Sequence, residues 1–195
     1  MNHISIEGMD GVGKSTICQL LAAKLNFEFI EKPLHYLFDN LFEELNSIDI
    51  YQKIAKKVNA NANRNFTSLF YSLGSIYMYE LFKNRNIITD RHLASNFAWS
   101  GTDYNEDVYQ LVLNKIGTPK YTFILYATKD EIIKRLKSRD KNDKDIARAI
   151  HSEEIYNKMI TFCKKNNFPF MIIDTTKLTP KKIVDIIISK LNENK

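Results

Sequence analysis

The chain is poor in the residues that staple, hinge or interrupt a fold. Only two of its 195 residues are cysteine, Cys18 and Cys163. They lie far apart without metal spacing, which excludes a disulfide scaffold and leaves both as expected reduced core thiols. His3, His35 and His151 show neither metal nor triad spacing. Six glycines and four prolines leave no linker, repeat or low-complexity tract, and the Asn-rich stretch Asn59–Asn65 is the nearest thing to a loop boundary. No apolar run approaches membrane-spanning length and the start carries no signal-peptide pattern, so a cytoplasmic protein with no membrane partner is expected. Neither charge dominates: 28 Lys and Arg against 23 Asp and Glu give +5, a balance that requires no nucleic-acid partner.

What remains is a chain 44% hydrophobic, long enough for one sizeable core and too short for two comfortable domains, so residues 1–195 are read as one domain. Short apolar runs alternate with longer helical patterns. Strands are expected at Ile4–Glu7, Phe27–Glu31, Ile87–Asp90, Tyr121–Tyr126 and Phe170–Asp174. Between them Phe66, Leu69, Phe70, Leu73, Tyr77 and Leu81 form the clearest helical stripe. The alternation predicts an α/β fold, a central five-stranded parallel sheet with helices on both faces, in which ligands bind at the carboxyl ends of the strands.

The first such end reads GMDGVGKST, Gly8 to Thr16. It fits G-x-x-x-x-G-K-[ST] between a strand and the helix expected over Lys14–Leu25, the context a P-loop requires. Gly8, Gly11 and Gly13 let backbone N–H groups turn inward, and the helix dipole aims at the same anion. Val12 and Thr16 complete the nucleotide-binding loop. Lys14 is placed to reach the β- and γ-phosphates and Ser15 to ligate Mg²⁺. The third strand ends ITDRHLAS, where Asp90 is the expected water-mediated Mg²⁺ partner and Arg91 points into the same cleft.

These residues resemble a family. E7-G8-M9-D10-G11-V12-G13-K14-S15-T16 and D90-R91-H92-L93-A94-S95 are similar to the paired signatures of thymidylate kinases, and PKYTFILYATKDEIIKRLKSR and IIDTTK, which resembles the last strand and the loop that in the family lies against adenine, extend the likeness over nearly the whole chain. The resemblance implies a P-loop kinase fold, ATP as phosphoryl donor, Mg²⁺ and nucleotide substrates. It places Asp10 on the acceptor sugar, Arg91 on the acceptor phosphate, Ser95 and Trp99 in the pocket frame and Phe70 stacked on the base. It makes the bond before Pro33 a candidate cis peptide and implies a homodimer through helices flanking the acceptor site. Two departures stand out: Gly74 replaces an Arg and Ser100 a Gln, both of which touch the thymine. The base is therefore left open, with other pyrimidines, or a purine using the space over Gly74, as candidates, and Arg64 or Asn96 as substitute readers.

The basic segment Lys134–Arg148 is the candidate lid. Arg135 and Arg139, four apart on a helix, share a face and are expected to converge on one anion, where they would join Lys14, Asp10 and Arg91 as catalytic residues. Other readings remain: a deoxynucleoside kinase with Glu31 as base toward a 5′-hydroxyl, a GTP switch, whose D-x-x-G and guanine code are missing, and a catalytically inert P-loop protein.

Overall fold

The computed structural model describes residues 2–39 and 46–193. Five strands, β1 (His3–Gly8), β2 (Glu28–Ile30), β3 (Ile87–Asp90), β4 (Tyr121–Tyr126) and β5 (Phe170–Asp174), form one sheet in the order β2-β3-β1-β4-β5. All four pairings are parallel. The helices are α1 (Lys14–Leu25), α2 (Ser47–Asn59), α3 (Arg64–Phe82), α4 (Leu93–Ser100), α5 (Glu106–Ile116), α6 (Lys129–Arg139), α7 (Ser152–Lys165) and α8 (Pro180–Glu193). Short 3₁₀ helices cover Pro33–Phe38 and Lys144–His151. Among the described residues no helix is long and apolar enough to cross a membrane.

The sheet needs apolar residues on both faces. Phe123 and Ile124 are consecutive, so their side chains point to opposite faces, yet both are fully buried, as a doubly covered parallel sheet demands. α1 packs with α8, while α4 packs against α3 and α7. In register, Ile6 of β1 pairs with Asp90 of β3 and Gly8 with Leu125 of β4. The P-loop and the end of β3 therefore open side by side at the carboxyl edge.

Two expectations are corrected here. The stripe on α3 faces outward, with Phe66, Leu69 and Leu73 at 47, 52 and 52% exposed. The helix buries instead a face that is small and polar at Thr67, Ser68, Ser72, Gly74 and Ser75 and turns apolar only at Met78 and Phe82. Asn96 of α4 donates to Ser68 O and Ser72 Oγ, and Asn105 donates to Ser68 Oγ. Hydrogen bonds stitch a seam there that the apolar period does not reveal. The second correction concerns Pro33: no described peptide bond is cis, and Lys32, left-handed at φ 50°, makes the turn before it.

Candidate active site

The loop between β1 and α1 approaches neighbouring backbone too closely for side chains. A Cβ on Gly8 would lie 2.5 Å from the Leu125 carbonyl oxygen. Gly13, at φ 91°, caps α1 in a left-handed conformation that other residues resist. Val12 turns its side chain into the core at 2% exposure, so it offers an anion only its backbone.

Lys14 is buried, donates to Met9 O at 2.8 Å, and lies 3.9 Å from Asp10 and 4.0 Å from Asp90. Burial, with the charge of Arg91, lowers its pKa, and the two carboxylates oppose that shift. Ser15 Oγ donates to Asp90 Oδ2 at 2.6 Å. The other oxygen, Asp90 Oδ1, is buried without a hydrogen-bond partner. Lys14 stands 4.0 Å from it, too far for a hydrogen bond, and a buried carboxylate oxygen so left is costly unless a second cation or its water shell reaches it. Arg91, left-handed at φ 73°, sends Nη2 to Asp10 Oδ1 at 2.7 Å and Nη1 to Ser95 Oγ at 3.5 Å. Burial pushes the Asp10 carboxyl up, but Arg91 and Lys14 outweigh it and hold the group well below the usual carboxylate range. Glu7, fully buried, accepts from Ser5 Oγ and from the amide and hydroxyl of Ser95, fixing the start of α4.

Beside this cluster opens a cleft of about 500 Å³. Of the residues singled out in the sequence, Asp10, Gly74, Asp90, Arg91, Ser95, Trp99 and Ser100 line it. Phe70 does not, which corrects its assignment: it stacks on Tyr51 with centroids 6.3 Å apart, and Tyr71 lines the cleft in its place. One residue on a helix is about 100° of rotation, enough to exchange the two rings. Tyr71 is oriented by donating to Asn59 Oδ1 at 2.8 Å.

The space over Gly74 is also not open. A Cβ there would meet Leu34 Cγ at 3.2 Å and Pro33 Cγ at 3.7 Å. Asn96 reaches the cleft, but its amide is spent on Ser68 and Ser72 and its oxygen accepts from Tyr109, which removes it as a base reader. Arg64 lines the cleft.

The lid arginines do not converge. Arg135 donates to Glu131 and to Thr175 and Thr176 of the loop after β5. Arg139 turns to Asp143 and Asp145. They share a helix face as spacing requires, but carboxylates and carbonyls at opposite ends of that face draw them apart. Sequence reasoning missed Tyr71, Lys32, Lys144 and Arg148, all on the cleft wall. Only Lys144 and Arg148, as members of the basic segment Lys134–Arg148, carried any signal.

Comparison with known proteins agrees with this layout. The thymidylate kinase family model matches residues 6–187. Thymidylate kinase of Campylobacter concisus is 30% identical, over 95% of this chain and 98% of its own. A probable thymidylate kinase of Methanocaldococcus jannaschii is 26% identical, over 96% and 94%. Among solved structures, a deoxyadenosine kinase from M. mycoides superposes with a TM-score of 0.66 at 23% identity, over 98% of this chain and 99% of its own. That last likeness speaks for the fold alone. The chain belongs to the thymidylate kinase family and is a nucleotide kinase, an enzyme of phosphoryl transfer to nucleoside monophosphates.

Proposed function

We propose that the chain transfers the γ-phosphoryl group of ATP, with Mg²⁺, to the monophosphate of a deoxynucleoside bound in the cleft beside Asp10 and Arg91. The observation that carries the acceptor reading is charge. Five cationic side chains, Lys32, Arg64, Arg91, Lys144 and Arg148, line the cleft. Three carboxylates, Asp10, Asp90 and Asp145, stand against them. The excess of two positive charges complements a dianionic monophosphate, whereas a neutral nucleoside has no use for it.

The chemistry then asks little of the protein beyond alignment and charge. The P-loop amides from Gly8 to Thr16 cradle the donor phosphates, and Lys14 sits against the β- and γ-oxygens. Arg91 holds the acceptor phosphate, whose oxygen is already an anionic nucleophile and needs no base. Asp10, kept ionised by Arg91 and Lys14, accepts from the sugar hydroxyl. Ser15 and Asp90 would hold Mg²⁺, which supplies charge neutralisation between the β- and γ-phosphates. Asp90 Oδ1, which has no hydrogen bond and only Lys14 at 4.0 Å, supports that fit. Among the described residues no three His, Cys, Asp or Glu gather as a metal cage, and a Mg²⁺ ligated largely by phosphates and water needs none. The nucleoside kinase alternative draws less support, because Glu31, the base it needs, does not line the cleft.

We further propose a homodimer through α3, where Phe66, Leu69, Leu73 and Ile76 present an apolar row beside the acceptor cleft. Leu73→Glu is expected to halve the sedimenting mass. The function itself is tested by ADP release over a panel of nucleosides and nucleoside monophosphates. Turnover of monophosphates with nucleosides inert supports it, and Glu31→Gln should change the rate less than twofold. The reverse preference refutes it.

A further inference from the structure

The segment from Lys134 to Arg148 is anchored differently at its two ends. At the first, Arg135 Nη2 donates to Thr175 O at 2.8 Å and Thr176 O at 3.3 Å, fastening α6 to the loop after β5. At the second, Arg148 on the 3₁₀ helix lines the acceptor cleft. Its guanidinium lies over the ring of Trp99, with Cζ 5.7 Å from the centroid, a distance at which the π-face attracts a cation. Nη1 donates to Asp145 Oδ1 at 3.2 Å. The positive charge acts across the cleft on Asp10 and Tyr71. The side chain is thus held in the cleft by a flat aromatic wall and a carboxylate it shares with Arg139.

Building on the monophosphate reading above, we propose that Arg148 is an acceptor-binding residue: it exchanges Asp145 for the acceptor's phosphate while keeping the face of Trp99, so the acceptor draws this end of the segment closed. The exchange is favourable in kind. The Arg148–Asp145 pair is exposed at 47% on the arginine side, and such pairs hold weakly. A planar guanidinium on a phosphate forms parallel charge-assisted bonds and is among the stronger polar contacts available. Arg135, tied to Thr175 and Thr176 on the far side, stays with the ATP end and takes no part in the exchange. One segment then reports the presence of both substrates, which guards ATP from transfer to water when the acceptor is missing.

Trp99 is the single tryptophan of the chain, so its emission reports what lies over its ring. Wild type, Arg148→Met and Arg148→Lys would be titrated with dTMP, dUMP, dCMP, dAMP and dGMP, and separately with AMP-PNP. In the wild type, the monophosphates that are turned over should change Trp99 emission saturably, and AMP-PNP alone should not. Arg148→Met should raise the acceptor KM at least tenfold, leave the ATP KM and the melting temperature within error, and lose the emission change. Arg148→Lys should recover part of the affinity. An unchanged acceptor KM in Arg148→Met overturns the proposal. So does an equal rise in the ATP KM, a fall in kcat with both KM values constant, or an emission response to AMP-PNP alone. A wild type that uses only nucleosides refutes the proposed function before any variant is made; one that uses monophosphates with Arg148→Met unaffected overturns Arg148 alone.

Discussion

Leu34→Ala is the perturbation that best separates the shape of the acceptor cleft from its charge. Leu34 is 4% exposed and its Cγ stands 3.2 Å from where a Cβ on Gly74 would lie, so it occupies the room that the missing side chain leaves. Truncation removes Cγ and both methyls. A buried Leu→Ala change costs about 2–5 kcal/mol. Leu34 borders an open cleft that water can enter, so the low end, about 2 kcal/mol, is expected by urea denaturation. Selectivity should move as well as stability. A single methylene in a pocket is worth about 1–3 kcal/mol of discrimination, so clearing three carbons beside Gly74 should raise kcat/KM for dAMP and dGMP, relative to dTMP and dCMP, at least tenfold. The assay is ADP release with each acceptor at saturating Mg-ATP for both proteins. If stability falls and the purine-to-pyrimidine ratio stays within twofold, the base does not lie against Leu34 and Gly74, and the reasoning fails.

Lys14→Ala should cost on the order of a 10³-fold loss in rate with the fold retained by circular dichroism, since a cation on the moving phosphoryl is removed; near-normal turnover would end the phosphate-cradle assignment. Arg135→Ala should raise the ATP KM more than it lowers kcat, because its bonds go to Thr175 and Thr176 and shape the loop, with steady-state kinetics as the check. Burial lowers the pKa of His92 to about 3 and that of His3 well below 6.5, where the charge of His92 adds to burial. Both folded-state values lie below the unfolded one, so the unfolded chain binds more protons and stability rises with pH through this window. Acidification from pH 6.5 should therefore cost about 1.4 kcal/mol per pH unit for each histidine. His92→Phe should remove one histidine's share of that slope in urea melts at pH 7, 6 and 5, and an unchanged slope would refute the assignment.

The sequence by itself determined the sheet and the phosphate loop. The strands Ile87–Asp90, Tyr121–Tyr126 and Phe170–Asp174 and the helix Lys14–Leu25 were legible to the residue, because contiguous residues set them: β-branched runs, a glycine turn and a helix start need no distant partner. Asp90 beside Ser15 was legible for a related reason, since parallel neighbours in a sheet end at one edge. Tertiary structure decided which way α3 faces. A period of 3.6 identifies a stripe but not its side, and the side was settled by hydrogen bonds from Asn96 and Asn105 that compensate a buried row of serines. The same rotation gave the cleft Tyr71 rather than Phe70. Gly74 looked like a vacancy until Leu34, from a distant turn, filled it. Arg135 and Arg139 share a helix face as their spacing dictates, but which anion a long cationic side chain meets depends on the carboxylates and carbonyls that other elements bring within its reach, and no local pattern records those.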